Sequence, residues 1–187
     1  MLIHRAIPLA VAALIAQGGA SARADAGWSA AAHAGLAFTQ HGGTVSSGGW
    51  IDLLHSVVPR ASVGLEGGYL KLSPETYQYF EYPGFGDPTG RSSDMFSASA
   101  AVRIRGAGPG RIHVLGTFGY YDRITRIHFQ DVPDQEESEW NPGFSLGIGF
   151  SGAGLVRPGF QLRWHETIGP DETNIDIVTF EVGLNFN

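Results

Sequence analysis

Four charged residues interrupt segments that are otherwise small on one face and apolar on the other. Glu66, Arg103, Arg163 and Glu181 each fall on the small-residue face of an alternating stretch. Two carboxylates and two guanidiniums so placed predict an ion-pair network rather than a reaction centre, because a desolvated charge must be paired. Arg105 and Arg123 share that parity nearer the ends of their segments and are further candidates. His165 and Thr167 offer a base and a hydroxyl on one face. A nucleophilic mechanism also needs an orienting acid, and none falls cleanly beside them in the preceding alternating segment, 144–151. Asp131, Asp134, Glu136, Glu137 and Glu139 present hard oxygen atoms but lack the spaced glycine of a calcium loop, so they read as a solvated acidic loop. Gly147-x-Gly149-x-x-Gly152 matches a dinucleotide fingerprint without the βαβ context that gives it meaning. The expectation is no catalytic residue, no cofactor and no metal site.

The elements that must position these residues are strands. In 175–186, Val178, Phe180, Val182, Leu184 and Phe186 alternate with Thr179, Glu181, Gly183 and Asn185, the period of two that makes a strand two-faced. Similar alternation predicts strands over 28–40, 50–56, 61–72, 95–105, 111–129, 144–151 and 160–167, eight in all. The fifth is long enough to project beyond its neighbours. Short turns at 58–60, 106–110 and 152–159 alternate with longer or more polar connections at 41–49, 73–94, 130–142 and 169–174. Tyr77, Tyr79, Phe80, Tyr82 and Phe85 fall in the second of these, as a recognition surface or as an interfacial girdle.

Which face is buried decides the fold class. A soluble sandwich also gives eight alternating strands, but its core cannot be Gly, Ser, Arg and Glu while Phe, Ile and Leu face water. The pattern predicts an all-β, eight-stranded antiparallel up-and-down transmembrane β-barrel, with its apolar face toward lipid. Such a barrel has room for little more than its own side chains, so the charged cluster should plug the lumen.

At the start of the chain, His4 and Arg5 precede an apolar run from Ala6 to Ala16, and Ala22-Arg23-Ala24 has the small-x-small form of a signal-peptidase site. This predicts a secretory signal over 1–24, with Ala24 or Ala26 as the last residue removed, and a barrel over 25–187. Removing the leader moves the net charge from -6 to -8, with ten basic against eighteen acidic residues, which argues against nucleic acid. The chain has no cysteine, so neither disulfides nor a thiolate metal site contribute.

Leu65-Glu66-Gly67-Gly68-Tyr69, Gly116 to Tyr121, Gly143 to Phe150, Leu162-Arg163-Trp164-His165 and Val182-Gly183-Leu184-Asn185-Phe186 resemble the strands of the eight-stranded outer-membrane β-barrel family, which includes small porin-like and OmpA-type domains. The resemblance covers the whole mature chain. It implies a bacterial outer-membrane location, periplasmic turns and termini, contact with outer-membrane lipid and lipopolysaccharide, assembly by the barrel-assembly machinery, and a monomer. The final strand is similar to the signal that machinery reads, although Asn187 follows the aromatic residue that is usually last. Lipid A deacylases resemble this fold and carry a His-x-Ser pair on the corresponding strand; here Thr167 stands in the Ser position after His165. The leading expectation is a non-enzymatic barrel with a structural, surface-interaction or narrow-pore role. A lipid-modifying enzyme using His165 is the alternative.

Overall fold

Period-two segments joined by glycine- and proline-rich turns fold as eight antiparallel strands: β1 (Trp28–Thr39), β2 (Val45–Val58), β3 (Ala61–Leu72), β4 (Pro88–Arg105), β5 (Arg111–Phe129), β6 (Gln135–Ser151), β7 (Val156–Thr167) and β8 (Asp176–Phe186). Each pairs with its sequence neighbours, and β8 returns to β1 to close a barrel. This is a computed structural model. It describes residues 27–39, 45–72, 88–106, 111–129, 132–152, 156–169 and 175–186. The expected secretory signal and the tyrosine-rich segment around Tyr77 to Phe85 lie outside the described residues.

Closure gives every strand an inside and an outside, and the alternation sorts side chains between them. Ile51, Leu65 and Phe118 are more than 60% exposed on the outer face, at 67%, 68% and 61%, while Asp52, Glu66 and Thr117 beside them are buried. A surface this apolar all the way round matches lipid rather than water. Aromatic contacts mark its two borders. Toward the loop end, Tyr69 packs on Phe96 at 5.1 Å and Phe144 on Trp164 at 5.3 Å. Toward the turn end, Trp28 meets His55 at 5.0 Å and Phe150 meets Phe160 at 5.7 Å.

Strand lengths are unequal. β4, β5 and β6 have 18, 19 and 17 residues, whereas the other five have 11 to 14. The surplus lies wholly at the loop end: the β3 register stops at Ser93 of β4, and the β7 register begins at Gly143 of β6. At ~3.3 Å per residue, the three strands run on for roughly 20 Å as a separate sheet. Four boundaries therefore differ from those expected. Segment 130–142 is not a loop throughout, since β6 begins at Gln135; β4 takes up 88–94; β2 starts at Val45; and β7 starts at Val156, inside the turn expected over 152–159. The cause is common to the first two: beyond the lipid both faces are polar, so alternation in hydropathy vanishes while strand pairing continues.

Candidate functional site

Arg163 organises the lumen. Its Nη1 and Nη2 donate to Glu66 Oε2 and Oε1 at 2.8 and 2.7 Å, and Nη2 also donates to Ser145 Oγ at 2.7 Å. The guanidinium lies 5.9 Å from the centroid of the Trp50 ring and 3.7 Å from Glu181. Glu181 has further donors of its own, Gln161 Nε2 and Thr179 Oγ1, the latter at 2.7 Å. Bidentate geometry with every oxygen satisfied is what allows these charges to stay buried. Glycine makes the space: a Cβ on Gly147 would stand 2.4 Å from Arg163 Cγ, and one on Gly68 2.5 Å from the Trp50 ring.

Three of the four residues singled out in the sequence thus meet, and Arg103 does not join them directly. It sits opposite Ser62, four positions along β3 from Glu66 toward the turns, and reaches inward to Asp52 with Nη2 at 2.6 Å from Oδ2. Asp52 was missed. It shares its inward row with Trp50 and Leu54, so that the inner face of β2 is as apolar as the outer one and hides the carboxylate. His33, 3.8 Å from Asp52, and Gln161 were missed for lack of any pattern that marks single polar residues. Arg123 pairs with Glu139 at 2.7 Å near the loop end, and Arg105 lies at the turn end.

Apolar clusters close the lumen on both sides of this polar layer. Ala37, Trp50, Leu70, Met95, Tyr121 and Ile177 pack toward the loops, and Leu54, Ala101 and Leu115 toward the turns. His165 is held within the first boundary, stacked on Trp50 at 5.6 Å, with Nε2 3.2 Å from Thr179 Oγ1. Thr167 is inward too, and its Oγ1 accepts the Ile175 amide at 2.9 Å. Both side chains point away from the bilayer, with His165 2% exposed, so neither reaches a lipid acyl ester.

The projecting sheet is the second candidate site. On its outer face Arg126 bridges Glu136 and Asp94, both at 2.9 Å, and the hydrogen bond to Glu136 is the main cause of its raised pKa. Asp122 accepts from Ser138 at 2.7 Å, and His128 lies 2.8 Å from Asp134. Glu136 and Glu139 are therefore strand residues engaged with arginines, contrary to their expected place in a free acidic loop. Trp140 is exposed at the base of the sheet. From Gln135 to Asn141, β6 pairs with β5 alone among the described residues, and from Pro142, whose carbonyl accepts the Ile168 amide at 2.7 Å, it is paired on both sides.

No family model matches the chain, and no curated protein matches it. Solved structures do. Ail, the attachment invasion locus protein of Yersinia pestis, superposes with a TM-score of 0.54 at 12% identity, covering 85% of this chain and 97% of Ail. Its complex with the heparin analogue sucrose octasulfate gives the same values. Neisserial surface protein A matches with a TM-score of 0.53 at 11% identity, covering 85% and 95%. Identities this low speak for the fold alone. With its apolar girdle, paired aromatic borders and closed eight-strand topology, the chain has the fold of the bacterial outer-membrane β-barrels.

Proposed function

We propose that this is a non-enzymatic outer-membrane protein that acts at the cell surface through the sheet formed by the loop-end halves of β4, β5 and β6. The lumen is a plug, since charged, hydrogen-bonded side chains fill its middle and apolar clusters close both sides. The observation that carries the reading is the edge of β6 over Gln135–Asn141, which has no second strand beside it among the described residues. An unpaired strand edge is a template for another extended chain unless something blocks it. Here the guards are carboxylates. Asp94, Asp122, Asp134, Glu136, Glu137 and Glu139 stand on the projecting segments against Arg91, Arg123 and Arg126. That balance repels acidic strands, this protein's own included, and favours a basic extended segment of a partner protein.

Ail has been crystallised with a polysulfated ligand. The acidic sheet of the present chain calls for the opposite charge. The test uses the barrel in nanodiscs with three probes: an extended lysine-rich peptide, a charge-matched proline-rich peptide that cannot pair with a strand edge, and a heparin oligosaccharide. The first should bind saturably, more tightly than the second, and lose binding when residues 123–139 are replaced by a two-residue turn. Equal binding of both peptides, or undiminished binding to the trimmed barrel, would sink the proposal.

A further inference from the structure

Gly67 is a glycine that the packing of the barrel does not require. Its inward neighbour Gly68 is forced, since a Cβ there would stand 2.5 Å from the Trp50 ring, but a Cβ on Gly67 would meet nothing closer than the Ser97 carbonyl oxygen at 3.9 Å. Gly67 faces lipid between Ile51 of β2 and Ala98 of β4 in the register, and Ala100 continues the small row along β4. Ile51 and Leu65, both largely exposed, stand up beside this floor. The result is an apolar trough of about 930 Å³. It is lined from β1 to β4 and by no residue of the opposite wall, so it opens toward the bilayer and not into the lumen. That volume lies within the range of ligand clefts, ~300–1,000 Å³.

Length and polarity suit the trough to a single lipid chain. From Leu65 to Tyr69 it runs four residues, roughly 13 Å at ~3.3 Å each, close to half the thickness of a ~30 Å hydrocarbon core. It ends at the loop-end aromatic border, where the Tyr69 hydroxyl donates to Asp94 Oδ1 at 2.8 Å. One outward step further along β3, Lys71 is exposed at the level of lipid headgroups. Asp94 stands opposite it in the register and is engaged by Tyr69 and by Arg126, the latter at 2.9 Å. Lys71 itself has no ion-pair partner among the described residues. Unfilled apolar volume forfeits dispersion contacts along its lining, and a flexible saturated chain restores them. We propose that the trough binds one acyl chain of a phosphorylated lipid in the leaflet at the loop end, with the lipid phosphate against Lys71. In a bacterial outer membrane that lipid is lipid A. This lipid identity rests on the outward loop end of the surface role proposed above, whereas the site is independent of what the projecting sheet binds.

The measurement is native mass spectrometry of the folded full-length barrel in maltoside micelles, titrated with bisphosphorylated lipid A. A saturable complex of one lipid per barrel is expected. Gly67→Leu, for which the backbone leaves room, should fill the trough and weaken the complex at least tenfold. Lys71→Gln should weaken it severalfold, and Gly116→Leu on the lipid face of β5 should leave it unchanged. Heat-modifiable gel mobility checks folding; should Gly67→Leu not fold, Ala98→Leu fills the same trough from β4 and reads the same loss. Stepwise addition of lipids without saturation marks general contact with the barrel surface and overturns the site. Unchanged binding in Gly67→Leu or Lys71→Gln, equal weakening by Gly116→Leu, or a barrel dimer in place of the lipid complex overturns it as well.

Discussion

Arg163 holds Glu66 across the barrel through both terminal nitrogens, at 2.8 and 2.7 Å, although 97 residues separate them in the chain. The pair ties β7 to β3, strands that share no ladder, and so fixes the cross-section of the lumen as well as neutralising two charges.

Removing one member leaves the other charge buried without a partner. Arg163→Ala should cost ~3–5 kcal/mol in unfolding free energy, and the double change Arg163→Ala with Glu66→Ala should cost less than the two singles combined, with a coupling of about 1 kcal/mol or more. Coupling to Glu181→Ala should be smaller, because Glu181 keeps Gln161 and Thr179. Urea titration of the barrel in micelles gives all the values; strictly additive losses for Arg163 and Glu66 would contradict the pairing.

Facing is tested on β6. Ile148, 53% exposed on the lipid side, should not tolerate arginine, and Ile148→Arg should cost ~2–4 kcal/mol. Polarity alone suggests that the lumen-facing Gly149 would accept serine. The packing says otherwise, since a Cβ there would lie 2.6 Å from His113 Nε2 and 2.8 Å from Gln161 Cβ. Gly149→Ala should therefore destabilise the barrel clearly, whereas Gly116→Ala on the lipid face, with Leu146 at 3.5 Å, should not. Equal melting temperatures for the two alanine variants would refute this account of the lumen.

What the sequence made legible follows from the same physics. Within the membrane each strand has one apolar and one small or polar face, so Phe180 and Glu181, or Leu65 and Glu66, could be assigned sides from period two alone. Above the membrane Glu136 and Glu137 both meet water, and the strand they belong to left no hydropathic trace. Asp52 was hidden between Trp50 and Leu54, whose inward apolar side chains belong to the two clusters that close the lumen. The partner of Arg163 was readable only as a choice between Glu66 and Glu181, because alternation gives facing but not the distance across a barrel.

Barrel closure depends on the last strand. Leu184, Asn185 and Phe186 pair with Ala30 to Ala32 of β1 and with Val156 to Pro158 of β7, and Asn185 also meets Arg103. Deleting 184–187 should leave two strand edges partly unpaired in lipid, where each unsatisfied backbone group costs several kcal/mol. Heat-modifiable mobility should be lost and the protein degraded before reaching the surface. Normal surface labelling of the deletion variant would show that these residues are dispensable.

The central claim is a barrel sealed by its own side chains, with its work done outside the lumen. Single-channel recording of the purified protein in planar bilayers tests it most directly. Current indistinguishable from the protein-free bilayer is predicted; a steady, large-conductance open channel would contradict the plug.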